Sequence, residues 1–471
     1  MRENSFGNIL LYILMVFLCV GLVILIFFNY RANAEQKQQL EAEAAAAEAT
    51  PTPAPAVTPE PTEAPVRNTE TVTLAFAGDI VAQSGLTTAA QSVDGDTVRY
   101  DYSDELAGVT ELLQQADYSS CTYVGTIRDG EDYNNYEMAP DIAAALSVTG
   151  FQLVNTATDH ILDNGIDGLA ETDDVLSAEG LAVVGTHADE DDTDVFVQTI
   201  NGVNVAFLSY TYGTGGVSVS DTPWAVDIFT TDYMTDQKSY DKDRITADIA
   251  AAKEEGADII VCYVYWWDDT QYYTQVRDKQ QDLAEYLCQS GVDVLIGSGI
   301  KMPQPIETLT VERSDGTSAN CVICYSLSNL MSCFTDENTN LSAVAMVDIS
   351  RDVDNGDVWV SGVSYTPLFM MDTRNYPAVD EPEEDELSEE EAEETTEEES
   401  EEETGEEELT RVEYTLSVLN AYAEVSDYEQ DNSSLTNTAY NAVCAGIERL
   451  QELLGAQYDT ANGGVTLDYP E

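Results

Sequence analysis

Histidine is nearly absent from this 471-residue chain, which has two, His160 and His187. Hydrolytic centres built on zinc or on paired metals draw on several imidazoles, so composition excludes a histidine-rich metal centre. Basic side chains are scarce as well: 18 lysines and arginines stand against 89 acids, for a formal charge of −71. A chain so acidic repels phosphate backbones and anionic lipid headgroups, which excludes nucleic acid as a partner. The stretch from Asp380 to Glu408 holds about 20 of these acids and no base, yet a charge near −50 remains without it. Acidity is therefore a property of the folded part too, suited to a solvated surface and able to attract cations loosely. A zinc-type cysteine pattern is also lacking. Cys321 and Cys324 have CxxC spacing, but they lie in a strand-like run with no second pair, and most other cysteines sit in apolar runs as small core residues.

What is present divides the chain into segments. After a short start over residues 1–8, Ile9 to Phe28 is about twenty residues without a charge, long enough to cross a bilayer as one helix. Ala32-Asn33-Ala34 offers small residues for cleavage, but the run is longer than the apolar core of a usual signal peptide, and an uncleaved anchor is expected. Residues 29–69 read as a Glu/Gln/Ala helix followed by a Pro/Thr-rich tether. Residues 70–379 carry an α/β pattern long enough for one large domain. Residues 380–408 form an acidic, disordered insertion, and residues 409–471 hold two helical patterns expected to return and pack on the domain. This order predicts a single-pass protein of the cell membrane with its C-terminal domain outside the cell.

Within the domain, Phe151 to Thr186 reads as one strand-helix-strand unit. The strand Phe151 to Asn155 runs into Thr156-Ala157-Thr158-Asp159-His160, and Asp163-Asn164-Gly165 leads into a helix closed by Gly180. In open α/β sheets the carboxyl ends of the strands are where sites are built. Three other predicted strands end in the same manner: Thr71 to Ala77 at Gly78-Asp79, Asp258 to Val264 at Tyr265-Trp266-Trp267-Asp268-Asp269, and Val292 to Ile296 at Gly297-Ser298-Gly299-Ile300-Lys301. Helix-capping residues are common after any strand, and a single polar cluster would mean no more than that. Four such clusters are what a site collected across a sheet looks like. Asn201-Gly202, between two apolar runs, predicts a type I′ hairpin.

These residues resemble the bacterial capsule synthesis proteins of the CapA/PgsA type, associated with poly-γ-glutamate capsule production. LAFAGDI at Leu74 to Ile80 is similar to that family's first strand with its Gly-Asp, and Ala139 to Gly180 follows the stretch around its Asn-Asn-His. Ala257 to Asp269 falls where the family has His-Trp-Gly-x-Glu, Gly291 to Glu307 where it has Gly-His-His-Pro-His, and Tyr325 to Leu330 resembles its Tyr-Ser-Leu-Gly-Asn-Phe. The resemblance covers roughly residues 70 to 370. It implies an α/β fold of the calcineurin-like metallophosphoesterase type, a four-layer α/β/β/α sandwich, preceded here by one transmembrane helix.

The departures fall on the ionisable positions. Tyr265 stands for a histidine, Trp267 for a glycine and Asp269 for a glutamate; His-Pro-His becomes Gly299-Ile300-Lys301, and Asn-Asn-His becomes Thr158-Asp159-His160. Asp79 and His160 survive as obvious family site residues. The metal candidates are thus Asp79, Asp159, His160 and Asp269, with Asp79, Asp159 and His160 the catalytic candidates and Tyr265, Trp267, Ser298, Lys301 and Asn329 lining the pocket. No cofactor is expected, although carboxylates alone leave room for a single magnesium or calcium ion. The ammonium of Lys301 is expected to take the vacated cation position and pair with Asp79 or Asp159 while Trp267 fills the pocket; the alternative is a Lys301 that points into solvent. The functional expectation is a pseudoenzyme that binds or scaffolds in capsule or envelope-polymer assembly, its partners being the membrane, an envelope polymer or capsule-assembly proteins. The rivals are a metal-dependent hydrolase with a reduced carboxylate site and a purely structural surface module.

Overall fold

Alternating side chains along Thr69–Val81 set the layering: Val72, Leu74 and Phe76 point to one face and Ala75 and Ala77 to the other. The computed structural model describes residues 67–377 and 414–470, apart from 95–96, 131, 191–194, 236–238, 267–271 and 315. The expected membrane span Ile9 to Phe28, the tether up to residue 66, the acidic run from Asp380 to Glu408, the pocket candidate Trp267 and the metal candidate Asp269 lie outside the described residues. Among the described residues, no helix is long and apolar enough to cross a membrane.

Two sheets carry the fold. In the nine-stranded one the central order is Leu416–Asn420, Val358–Asp372, Leu341–Asp352, Thr69–Val81, Tyr118–Val124, Leu153–Asn155 and Ala182–Val184. The six-stranded sheet runs Pro303–Glu312, Ser318–Leu327, Val294–Ser298, Ile259–Tyr265, Val203–Thr211 and Phe196–Ile200. Val72, Leu74 and Phe76 of the first meet Val205, Phe207, Val261 and Ile296 of the second in one apolar layer. The outer face of the first sheet is covered by the helices Ser103–Leu113, Asp141–Thr149 and Gly165–Ala178, through Leu106, Leu146 and Leu176 among others. That of the second is covered by Lys242–Glu254 and Asp278–Ser290, through Ile245, Ile249, Leu283 and Leu287. The chain therefore packs helices, sheet, sheet and helices, with central strands such as Tyr118–Val124, Ile259–Tyr265 and Val294–Ser298 burying both faces. The Asn201-Gly202 hairpin is present, both residues at positive φ (47° and 86°) between the paired Ile200 and Val203.

Two elements differ from their sequence reading. Thr69–Val81 does not stop at Gly78. It continues through an irregularity beyond Phe76, after which Asp79 lies opposite Thr122 on one side and Asn329 on the other. Leu416–Asn420, expected within a helix, is a strand paired with Val358–Asp372, because Leu416 and Val418 bury alternately against the helix-covered face. The helices Ala421–Glu429 and Asn437–Leu450 follow it, and Ala421, Ala439, Val443 and Leu450 extend the core between the sheets.

Candidate functional site

All four polar strand ends reach the place where the carboxyl ends of the central strands meet, the fourth through Tyr265. Asp79 is brought there by Gly78, at which a Cβ would collide with the Ser328 carbonyl, so only glycine lets the two chain segments close up. The Asp79 amide donates to that carbonyl at 2.9 Å. Across the interface, Ser298 at the end of Val294–Ser298 donates its hydroxyl to Asp79 Oδ1 at 2.8 Å, and the Gly299 amide donates to Oδ2 at 2.7 Å. Gly299 sits at φ 80° with the Tyr265 ring against it, a conformation and a clearance that suit glycine alone. Where the family pattern has an imidazole, this chain thus offers a backbone N–H.

Asp79 is 4% exposed, and burial pushes its carboxyl up to about 7 despite these two donors, with the neighbouring Asp159 adding to the rise. Asp159, 5% exposed, accepts from the Tyr212 hydroxyl at 3.1 Å through Oδ2, while its Oδ1 is buried without a hydrogen-bond partner. Tyr265 is buried beside both acids; desolvation first, then Asp159 and Asp79, holds its phenol well above the ordinary range. The Tyr212 and Tyr265 rings stack with centroids 6.3 Å apart. His160 forms the rim. Its Nδ1 contacts Asp163 Oδ2 at 2.9 Å, its Nε2 lies 3.7 Å from Asp159 Oδ1, and its ring lies flat on Tyr136 at 3.3 Å between centroids.

Lys301 does not occupy the place expected of it. Its ammonium hydrogen-bonds the Tyr272 hydroxyl at 3.1 Å and lies over the rings of Tyr272 and Phe334, 4.8 and 4.2 Å from their centroids. Among the described residues it forms no ion pair with either acid. Aromatic faces hold a cation at lower desolvation cost than a buried carboxylate pair does, and hydroxyl and amide donors serve Asp79 in its stead. Asn329, opposite Asp79 in the strand pairing, is buried and donates its amide to the Lys301 carbonyl at 3.5 Å.

Several residues of the site had no mark in the sequence. Tyr136 and Tyr212 reach it from loops and strands distant along the chain. Asn155, fully buried, bridges the sheets by donating to Thr122 Oγ1 at 3.0 Å and accepting from the Ser209 hydroxyl; its place at the end of the Leu153–Asn155 strand, four residues before Asp159, was the one available signal. As a donor set the site suits hydrogen bonding and proton sharing. Both oxygens of Asp79 are engaged by donors, and among the described residues no three histidine, cysteine or acidic side chains gather as a metal group. The described residues do not fit a dinuclear metal centre.

Comparison with known proteins gives this geometry a family. A model of the bacterial capsule synthesis protein PGA_cap matches residues 73–333. The capsule biosynthesis protein CapA of Bacillus anthracis is 25% identical over 282 residues, 57% of this chain and 62% of that protein. The PGA biosynthesis protein CapA of Bacillus subtilis (strain 168) is 23% identical over 266 residues, 56% of this chain and 63% of its own length. The chain thus spans somewhat under two thirds of either relative. Among solved structures, it is similar to a phosphatase from Mycoplasma pneumoniae (TM-score 0.36, 10% identity, 63% of this chain and 93% of that one) and to a 5′-nucleotidase precursor from Thermus thermophilus (TM-score 0.35, 11% identity, 64% and 54%). The matched segment begins on the strand that carries Asp79 and ends just past Asn329, enclosing Asp79, Asp159, His160, Tyr265, Ser298 and Lys301: the chain belongs to the bacterial capsule synthesis protein PGA_cap family.

Proposed function

We propose that this protein serves capsule or envelope-polymer assembly as a binding or scaffolding component, its family site rebuilt from a metal centre into a hydrogen-bonded pocket. The observation that carries this reading is the tethering of Asp79 by the Ser298 hydroxyl and the Gly299 amide, with Tyr265 packed beside it. A carboxylate held by two donors and pushed towards neutrality is a poor ligand for a cation, and His160 alone stands at the site where a metal-bound water would draw on several imidazoles. The layered architecture fits the calcineurin-like type implied by the sequence resemblance, with hydrolysis given up. The reading needs no cofactor. Charge narrows the partners further: at −71 the chain repels an anionic polymer such as polyglutamate, which favours a protein of the assembly machinery over the polymer as what is bound.

Phosphatase and phosphodiesterase assays on the purified protein, with p-nitrophenyl phosphate and its bis-ester in manganese or zinc, are expected to show no turnover above buffer. Metal-stimulated turnover that disappears in Asp79→Ala would overturn the reading. We further propose that Ile9 to Phe28 anchors the chain with the domain outside the cell, supported by the length of that uncharged run and the tether composition after it. Protease added to intact cells should then remove the domain, and complete protection would refute the placement.

A further inference from the structure

We infer that the open edge of the Ala182–Val184 strand docks an extended segment of a partner protein in which apolar residues alternate with lysine or arginine, bound as an added antiparallel strand. The inference rests on the reading of a binding component and deepens it, naming a docking surface apart from Asp79 and the chemistry of what it takes. Ala182–Val184 ends the nine-stranded sheet, and Phe196–Ile200 ends the six-stranded one. A cleft of about 880 Å³ is lined by both of these end strands and by the helices Gly165–Ala178 and Lys242–Glu254. Hydrogen bonding locates its open edge. The Ala182 amide donates to the Gln152 carbonyl at 2.8 Å and the Val184 carbonyl accepts from the Thr156 amide at 3.0 Å, so both residues face Leu153–Asn155 within the sheet. By alternation the N–H and C=O of Val183 face outward. Two residues further on the edge is in use: the Gly185 carbonyl accepts from the Asp227 amide and the His187 amide donates to the Ala225 carbonyl, both at 3.0 Å, in an antiparallel pairing. That segment then leaves, since Ile228 pairs with Thr211 of the other sheet. The edge thus takes an antiparallel strand at Gly185 and, among the described residues, has none at Val183.

Side-chain alternation and charge define the occupant. Exposed edges are ordinarily protected by lysine, proline or a bulge, and neither Ala182–Val184 nor Phe196–Ile200 holds a lysine or a proline. Val184 belongs to the core between the sheets, whereas Val183 packs on the helix-covered face. An added strand therefore turns alternate side chains towards Phe196 and Phe207 on one side and towards Asp174 and Ser177 on the other. The first side suits apolar residues. The second suits basic ones, because Asp174 is exposed there, and exposed Asp189 and Glu255 stand on the remaining walls. Among the described residues that line the cleft there is no lysine or arginine to oppose them. A second copy of the chain, at −71, is repelled from the same edge, which leaves a basic partner as the occupant that charge favours.

The probe is dye-labelled acetyl-Lys-Val-Lys-Val-Lys-Val-amide, added to the full-length protein in 0.15 M salt, which screens diffuse attraction beyond about 8 Å. Fluorescence anisotropy reads the affinity, and hydrogen exchange reads the backbone amides from Leu181 to Gly185. Saturable binding is expected, with the Val183 amide exchanging about tenfold more slowly once the peptide is bound. One control peptide carries methyl groups on the lysine backbone nitrogens and another on the valine nitrogens, so that each loses the strand donors of one edge while keeping its side chains and charge. One of the two should bind about tenfold more weakly than the parent peptide. Acetyl-Lys-Lys-Lys-Val-Val-Val-amide, of equal composition without the alternation, should be weaker by a similar factor. In the protein, Asp174→Lys combined with Glu255→Lys alters two exposed positions and should give about the same loss without unfolding the domain. No saturable binding, unchanged exchange at Val183, equal affinity of all four peptides, or parent-like affinity in the double variant would each overturn the inference. So would a Val183 amide already protected in the free protein: protection at every dilution would assign the edge to the protein's own chain, and protection that grows with concentration would assign it to a second copy. Turnover in the metal assays would overturn the non-hydrolytic reading alone.

Discussion

Glu105→Met should make the protein more stable at pH 7, with a pH-dependent gain of about 3 kcal/mol that vanishes as the pH falls to 4. Glu105 lies in the first turn of Ser103–Leu113, 3% exposed, and neither carboxyl oxygen has a hydrogen-bond partner. Burial, then Asp101 and Asp104, pushes its carboxyl from 4.5 up to about 9. A raised carboxyl is protonated in the native state and ionised in the unfolded one between these two values. Stability is therefore fully present below pH 4.5 and is lost progressively as the pH rises towards 9. Methionine has similar length, good helix propensity and no charge, so the loss disappears with it. The buried carboxyl without partners adds about 1–3 kcal/mol more in favour of the variant at every pH. Urea titrations of parent and variant from pH 4 to pH 8 measure the gap. A variant no more stable than the parent at pH 8 would mean that Glu105 has a native partner.

A buried acid with no partner is also a guide to what the sequence could and could not convey. The strand of Asp79 was legible because Val72, Leu74 and Phe76 alternate with Ala75 and Ala77, and period two needs no knowledge of distant residues. The placing of Asp79, Asp159 and Ser298 at one end of the sheets followed as well, since parallel strands joined by helices bring their carboxyl ends to the same side. The partners of Lys301 are not legible in the sequence because its notch is assembled from Tyr272 and Phe334, two side chains on separate loops that no local pattern connects. Tyr136 and Tyr212 carry no local mark for the same reason. Leu416–Asn420 reads as helical because Leu416 and Val418 in so short an apolar run fit a helix or a strand, and the choice is made by the neighbouring Val358–Asp372 strand. Local periodicity fixes elements and their ends. Which side chains complete a site depends on contacts that the rest of the chain creates.

Asp79→Asn tests the core of the proposed site, since it removes the charge while leaving the shape. The asparagine carbonyl can accept from the Gly299 amide as Oδ2 does now, and its NH₂ can donate to Ser298, whose hydroxyl turns to accept. The packing against Ser328 and Tyr265 is untouched. In the parent, burial raises this carboxyl from 3.8 to about 7. Its contribution to stability is complete below pH 3.8 and falls away as the pH climbs through 7, because the unfolded chain ionises first. The loss amounts to about 4 kcal/mol by pH 8. Asparagine carries no such dependence. The two proteins should therefore be close in stability near pH 4, and the variant should lead by about 4 kcal/mol at pH 8, with most of the divergence between pH 4 and 7. Were Asp79 an ordinary ionised ligand awaiting a metal, its carboxylate would be the preferred form and the order would reverse: the variant would lose stability at pH 8, and added manganese or zinc would stabilise the parent alone. Thermal melts across this pH range, with and without metal, separate the two cases.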